Sequence, residues 1–129
     1  MTTIAVRVPR QALLSANGRE PWQVRARASE TLRTLAFHAW QRAGCPQYQR
    51  VSCVCVVTYP DRRRRDVTNL AKTAKALIDG MVCGARGSRG GLLLPDDDDK
   101  HLIGPDMRAG DEVGEPGGFT FTFSFEELP

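Results

Sequence analysis

No stretch of this chain is apolar for long enough to span a membrane, and its first residues, "MTTIAVRVP", lack the charged, apolar and small-residue order of a secretory signal. Both absences lead us to expect a soluble protein of the cytosol. Histidine is scarce: His38 and His101 are the only two, and both lie far from any pair of cysteines. The four cysteines show no two-residue gap of the kind that zinc knuckles use, so small buried thiols are expected rather than a metal or redox centre. Glycine is plentiful but irregular. "CGARGSRGG" has no phosphate-loop spacing and reads as a flexible insertion at about 84–91. No repeat and no linker divides the 129 residues, so one domain spanning 1–129 is expected.

Charge is present, and unevenly placed. Residues 1–79 hold 14 Lys/Arg against 5 Asp/Glu, whereas residues 80–129 hold 4 against 10. So basic an amino-terminal portion suggests a polyanionic partner, with nucleic acid the foremost candidate. The extremes of both signs are compact: "RRRRD" at 62–66 and "DDDDK" at 96–100. The second resembles an engineered protease-cleavage tag, but it lies mid-chain between a leucine run and a strand, so it is read as native.

Hydrophobic periodicity supplies the elements. "TIAVRV" alternates with Ile4, Val6 and Val8 on one face of a strand. Asn17-Gly18 marks a turn and Pro21 suits the first turn of a helix, which the spacing of Val24, Ala28, Leu32, Leu35 and Ala39 carries from Trp22 to Arg42, stopped near Gly44 and Pro46. "RVSCVCVVTY" is rich in β-branched residues and apolar on both faces, which predicts a central strand ended by Pro60. A second helix is expected from about Thr68 to Met81, with Leu70, Ala74, Leu77, Ile78 and Met81 inward and Lys72, Lys75 and Asp79 sharing another face. "KHLIGPDMR" is a candidate short third strand, and "FTFTFSFEE" a last strand with four phenylalanines facing one way. The predicted fold is α+β, a small mixed sheet packed with two principal helices in the order β-α-β-α-β-β.

Carboxylates this dense repel one another, and a fold that keeps them usually supplies a cation. Aspartate oxygens are the usual ligands of Mg²⁺ and Mn²⁺, ions that also share phosphate oxygens of a substrate. Asp66 stands at a strand-to-helix junction and Asp97, Asp98 and Asp99 at a loop-to-strand junction, so the two could converge; the plainer alternative is a helix cap and a solvated acidic loop. Arg62, Arg63, Arg64 and Arg65 directly precede Asp66, where they would grip a nucleic-acid backbone, and Lys72 or Lys75 would offset charge in a transition state.

"PDRRRRDVTNLAK" followed by "LLLPDDDDKHLIG" resembles the RusA family of Holliday junction resolvases, notably its actinobacterial phage- and prophage-like members. The loop residues Leu14, Ser15, Asn17, Arg19 and Trp22 and the later "GPDMR" fit the same look, so the resemblance runs through most of the chain. It implies a homodimeric, Mg²⁺-dependent endonuclease (Mn²⁺ being the alternative ion) that cuts four-way DNA junctions in the cytoplasm of a bacterial host, with no membrane partner and no small-molecule substrate. It also implies residue roles: Asp66 as first catalytic carboxylate and metal ligand, Lys72 as catalytic lysine, and Asp98 and Asp99 as the later acidic pair and further metal ligands, with Asp99 catalytic and Asp97 the alternative register. Arg62 to Arg65, Asn69, Lys75 and Arg19 are the implied DNA contacts.

At one position the sequence departs from the family: Thr68 stands where the family has its second aspartate. A neutral hydroxyl is a weak ligand, so the site has one charge fewer than expected. The surplus aspartates of the acid run are expected to compensate. Asp79 lies about eleven residues beyond Thr68, roughly 16 Å along a helix, and is therefore assigned to the surface or a dimer contact. The loss also motivates a rival expectation, a branched-DNA-binding protein that has kept the fold and lost the nuclease.

Overall fold

The structure is a computed structural model that describes residues 1–14, 16, 18–86 and 90–129. Its regular elements are β1 (Thr2–Pro9), α1 (Trp22–Arg42), β2 (Val51–Thr58), α2 (Ala71–Cys83), β3 (Leu102–Ala109) and β4 (Gly118–Glu127), with short 3₁₀ turns at Arg10–Ala12 and Val67–Leu70. This is the α+β arrangement expected. The sheet order is β1-β4-β2-β3, antiparallel except between β2 and β3, which run parallel and are joined through α2. The predicted turn at Asn17-Gly18 and the fit of Ser15 fall partly outside the described residues, as do residues 87–89 of the glycine-rich insertion.

Register explains why the last strand sits in the middle. Phe119, Phe121 and Phe123 stand opposite Val8, Val6 and Ile4, while Phe121, Phe123 and Phe125 stand opposite Val57, Cys55 and Cys53. Strict alternation therefore places these phenylalanines and their partners from β1 and β2 on one face, where they join α1 and α2 in the core, while Val54 and Val56 of β2 lie on the other face. Phe121, Phe123 and Phe125 are fully buried. Each contributes about 1.5–3 kcal/mol by leaving water, more than an edge position would recover. Cys53 and Cys55 lie in the same layer, where burial pushes both thiols up to about 12, so neither supplies a thiolate near neutral pH. Cys45, expected to be buried, is instead exposed, in a left-handed turn just past the end of α1.

Both helices were legible, with corrections at their ends. Trp22 and Val24 are exposed, and the buried stripe of α1 begins at Leu32 and continues through Ala36, Ala39 and Trp40. The first turns of α1 thus lie outside the core, and the apolar period alone did not indicate where the covering partner stops. The second helix opens as a 3₁₀ turn over Val67–Leu70 before α2 proper. The third strand is as long as the first, and a register shift between Ser52 and Val54 lets Gly104 pass over the Cys53 carbonyl, where a Cβ would come within 2.4 Å.

The helices approach closely at Gly80. A Cβ there would lie 2.3 Å from the Arg33 carbonyl oxygen and 2.6 Å from its Cα, both backbone atoms that cannot turn aside. Gly80→Ala must therefore push α1 and α2 apart. A loss of about 1–3 kcal/mol is expected in chemical denaturation at unchanged m-value. A variant as stable as wild type would show that the helices are not this close.

Candidate nucleic-acid interface

Pro60 ends β2, and the chain then turns across the carboxyl ends of the parallel strands β2 and β3 before entering α2. Asp61 organises that turn. Its carboxylate accepts from the Arg65 guanidinium at 2.6 Å and from the Arg63 backbone N–H at 3.0 Å, and Arg10 lies 3.5 Å away. The Arg65 hydrogen bond, then that from Arg63, holds its carboxyl at about 2. Arg65 also packs against two rings, 5.1 Å from the centroids of both Tyr59 and Phe119. With 16% of its side chain exposed, Arg65 is an internal strut rather than a free phosphate grip. Arg63 leans on Asp61 at 3.7 Å, whereas Arg62 and Arg64 are exposed and have no acidic partner among the described residues.

Asp66 is the N-cap of the 3₁₀ turn. Its Oδ1 accepts from the Thr68 hydroxyl at 2.7 Å and the Thr68 backbone N–H at 3.0 Å, and its carbonyl accepts from the Asn69 N–H. The Thr68 hydroxyl, then its N–H, lowers the carboxyl from its usual range, so it remains ionised around neutral pH. Both bonds fall on Oδ1, and the residue is exposed. Thr68 therefore acts here as a donor that orients the first carboxylate. Asn69 is exposed beside it. An open cleft of about 940 Å³ adjoins both, with Leu13, Val67, Leu70 and Phe119 in its lining and Arg64 and Arg65 beside Asp66.

One turn further on, Lys72 is exposed without an acidic partner among the described residues, close to Gly18 and Arg25. Thr73, the one buried polar side chain of the described residues, accepts from the Leu14 N–H at 3.0 Å and so ties the loop before α1 to this part of α2. Arg19, on that loop, is exposed. Lys75 faces the acidic run: its ammonium bonds Asp79 at 3.1 Å and is also hydrogen-bonded to Asp97. Burial works against the Lys75 charge, but the bonds to Asp97 and Asp79 outweigh it and raise the group. Asp79 and Asp97 also face each other, near enough to share a proton. Burial raises Asp79, and its hydrogen bond holds Asp97 at about 2. Asp79, assigned to the surface from spacing, is thus part of a half-buried acid–lysine group.

The four aspartates differ in their work. Leu93 and Leu94 anchor the preceding segment in the core. Asp96 accepts from the Asp97 N–H, and Asp98 accepts from the Lys100 N–H while its carbonyl accepts from His101 and Leu102, so these two shape the turn into β3. Asp99 is exposed and makes no side-chain hydrogen bond or ion pair among the described residues. Among those residues, no three of His, Cys, Asp and Glu are gathered so as to hold a metal ion. Asp66 and Asp99 have the oxygen chemistry that Mg²⁺ takes.

Of the residues the sequence nominates, Asp66, Arg62, Arg64, Lys72 and Asp99 are exposed. Sequence reasoning missed Asp61 as the hub of the arginine run. The available signal was its place directly after the strand-ending Pro60, at the start of a turn. The apolar floor of the cleft was also missed, because Leu13, Val67 and Phe119 come together only through the fold. Compared with known proteins, the chain matches no family model and no curated sequence. No helix of the described residues is long and apolar enough to cross a membrane.

Proposed function

We propose that this protein is a structure-selective endonuclease of the RusA kind, which cuts four-way DNA junctions as a homodimer in the cytoplasm of a bacterial host. The observation that carries the reading is that the exposed Asp66, its carboxyl held below the usual range by Thr68, lines a cleft together with Arg64, which is exposed and has no acidic partner among the described residues; Arg62 and Lys72, close by in the chain, are exposed and likewise without one. Cations without acidic partners favour a polyanion, and a carboxylate in their midst is costly in a purely DNA-binding face because it repels the backbone. Cleavage is proposed to require Mg²⁺ or Mn²⁺, with Asp66 and Asp99 as protein ligands and the substrate's phosphate oxygens completing the shell. One finding favours a second reading, a junction-binding protein without nuclease activity: Thr68, which donates its hydroxyl to Asp66, occupies the place where the RusA family has its second aspartate.

Incubation with a synthetic four-way junction in Mg²⁺, Mn²⁺ or EDTA tests both. Paired cuts near the branch in either metal, with none in EDTA and none on linear duplex, are expected. Tight binding with no cuts in either metal would support the second reading. The salt dependence of binding tests the grip. Arg62→Ala with Arg64→Ala should reduce the slope of log affinity against log salt by about 0.9 for each phosphate that is no longer neutralised. Arg65→Ala should leave that slope nearly unchanged and lower stability instead, because Arg65 is held by Asp61, Tyr59 and Phe119. An unchanged slope in the double variant would show the exposed arginines to be a solvated face only.

A further inference from the structure

A basic face that gripped only phosphates would need no apolar floor, yet the cleft beside Asp66 has one, made by Leu13, Val67, Leu70 and Phe119. The volume of about 940 Å³ is in the range of small-ligand sites and is open on one side. Its rim is polar in a particular way. Asn69 offers an amide with both a donor and an acceptor, and Arg64 is an exposed cation without an acidic partner among the described residues. An occupant must therefore be apolar over its faces, able to hydrogen-bond along an edge, and attached to negative charge. A nucleobase on its phosphate backbone has all three properties.

Resting on the nucleic-acid reading above, we propose that this cleft receives one unstacked base from the branch point of the junction. Arg62 and Arg64 would hold the phosphates on either side of it. Arg65, the internal strut of the turn, would have a second role here. Fixed by Asp61 and packed on Tyr59 and Phe119, it presents an immobile planar cation in the cleft lining, and bases stack well on guanidinium planes and aromatic rings. Taking a base out of a duplex costs stacking and pairing, and the cost is least where stacking is already interrupted, as at a branch. Docking would thus select junctions over linear duplex without reading sequence. It would also set the phosphodiester next to the docked nucleotide beside Asp66, which shares the cleft rim.

Junctions carrying 2-aminopurine singly at each nucleotide around the branch, titrated with protein in EDTA so that the DNA stays intact, test this. Binding should raise the fluorescence several-fold at one position. Val67→Met and Ala109→Leu, which add bulk to the cleft without adding an aromatic quencher, should abolish the rise and weaken junction binding roughly tenfold. Ala109 is exposed, so its variant should keep the wild-type melting temperature even if the Val67 variant does not. Junction binding with no rise at any position would overturn the inference while leaving the DNA-binding reading standing. An equal rise in wild type and both variants would overturn it too, since the branch would then open without the cleft. A wild-type protein that binds no junction at all would overturn the underlying reading and this inference with it. A rise lost in the variants together with dimer dissociation in sedimentation would overturn it in favour of a cleft filled by a second copy of the chain.

Discussion

Asp66→Asn is expected to abolish junction cleavage, by more than about a hundredfold, while junction affinity stays the same or increases. The magnitude follows from ligand chemistry: loss of even an outer-shell partner typically costs about ten- to a hundredfold, and loss of a direct ligand should cost more. The variant suits the test because it preserves the fold. Asparagine is as good an N-cap as aspartate, and its amide oxygen can still accept from the Thr68 N–H and hydroxyl, which bond Asp66 at 3.0 and 2.7 Å. What disappears is one negative charge facing the DNA, and that charge repels phosphate. Tighter binding with no cutting would separate catalysis from recognition at a single position. Cleavage within twofold of wild type, in Mg²⁺ and at saturating protein, would remove Asp66 from the site.

The distribution of roles along the two charge runs shows what could be read in advance. The strands were legible because a period of two is written into "FTFTFSF" and "TIAVRV", and burial follows it residue by residue. The extent of α1 was legible from Pro21 and Gly44, but its inward stripe was not, since Val24 fits the period and still faces solvent. Four identical arginines carry no local sign of which one turns inward. Arg65 does so because Tyr59 and Phe119, distant from each other in sequence, flank it in the fold. The same holds for the aspartates. Asp97 is taken by Lys75 and Asp79, Asp96 and Asp98 shape a turn, and Asp99 is left exposed. Composition marks where charge is dense, and tertiary packing decides which charges remain available to a ligand.

That division of labour bears on Thr68, for which the second large effect is expected. Had the surplus aspartates replaced the missing carboxylate, Thr68→Asp would only crowd like charges and slow the proposed cleavage. The hydrogen bonds of the acidic run point the other way: Asp97 is engaged by Lys75 and Asp79, and Asp96 and Asp98 accept backbone N–H groups. Wild type should accordingly cut slowly in Mg²⁺ and faster in Mn²⁺, the less demanding ion. Thr68→Asp should raise the Mg²⁺ rate by about ten- to a hundredfold, the reverse of what losing a metal-site partner costs. Its stability should change in a recognisable pattern. The Thr68 hydroxyl now donates to Asp66 Oδ1, and a carboxylate in its place removes that donor and sets two negative groups together, raising the affinity of each for a proton. Without metal the variant should therefore melt below wild type, and millimolar Mg²⁺ should restore the difference by binding only the folded state. If Thr68→Asp instead cuts more slowly, gains nothing in melting temperature from Mg²⁺, and Asp97→Asn proves as damaging as Asp99→Asn, the acidic run does complete the site. If neither protein cuts in either metal although both bind junctions tightly, the chain is a binding protein on a nuclease-like fold.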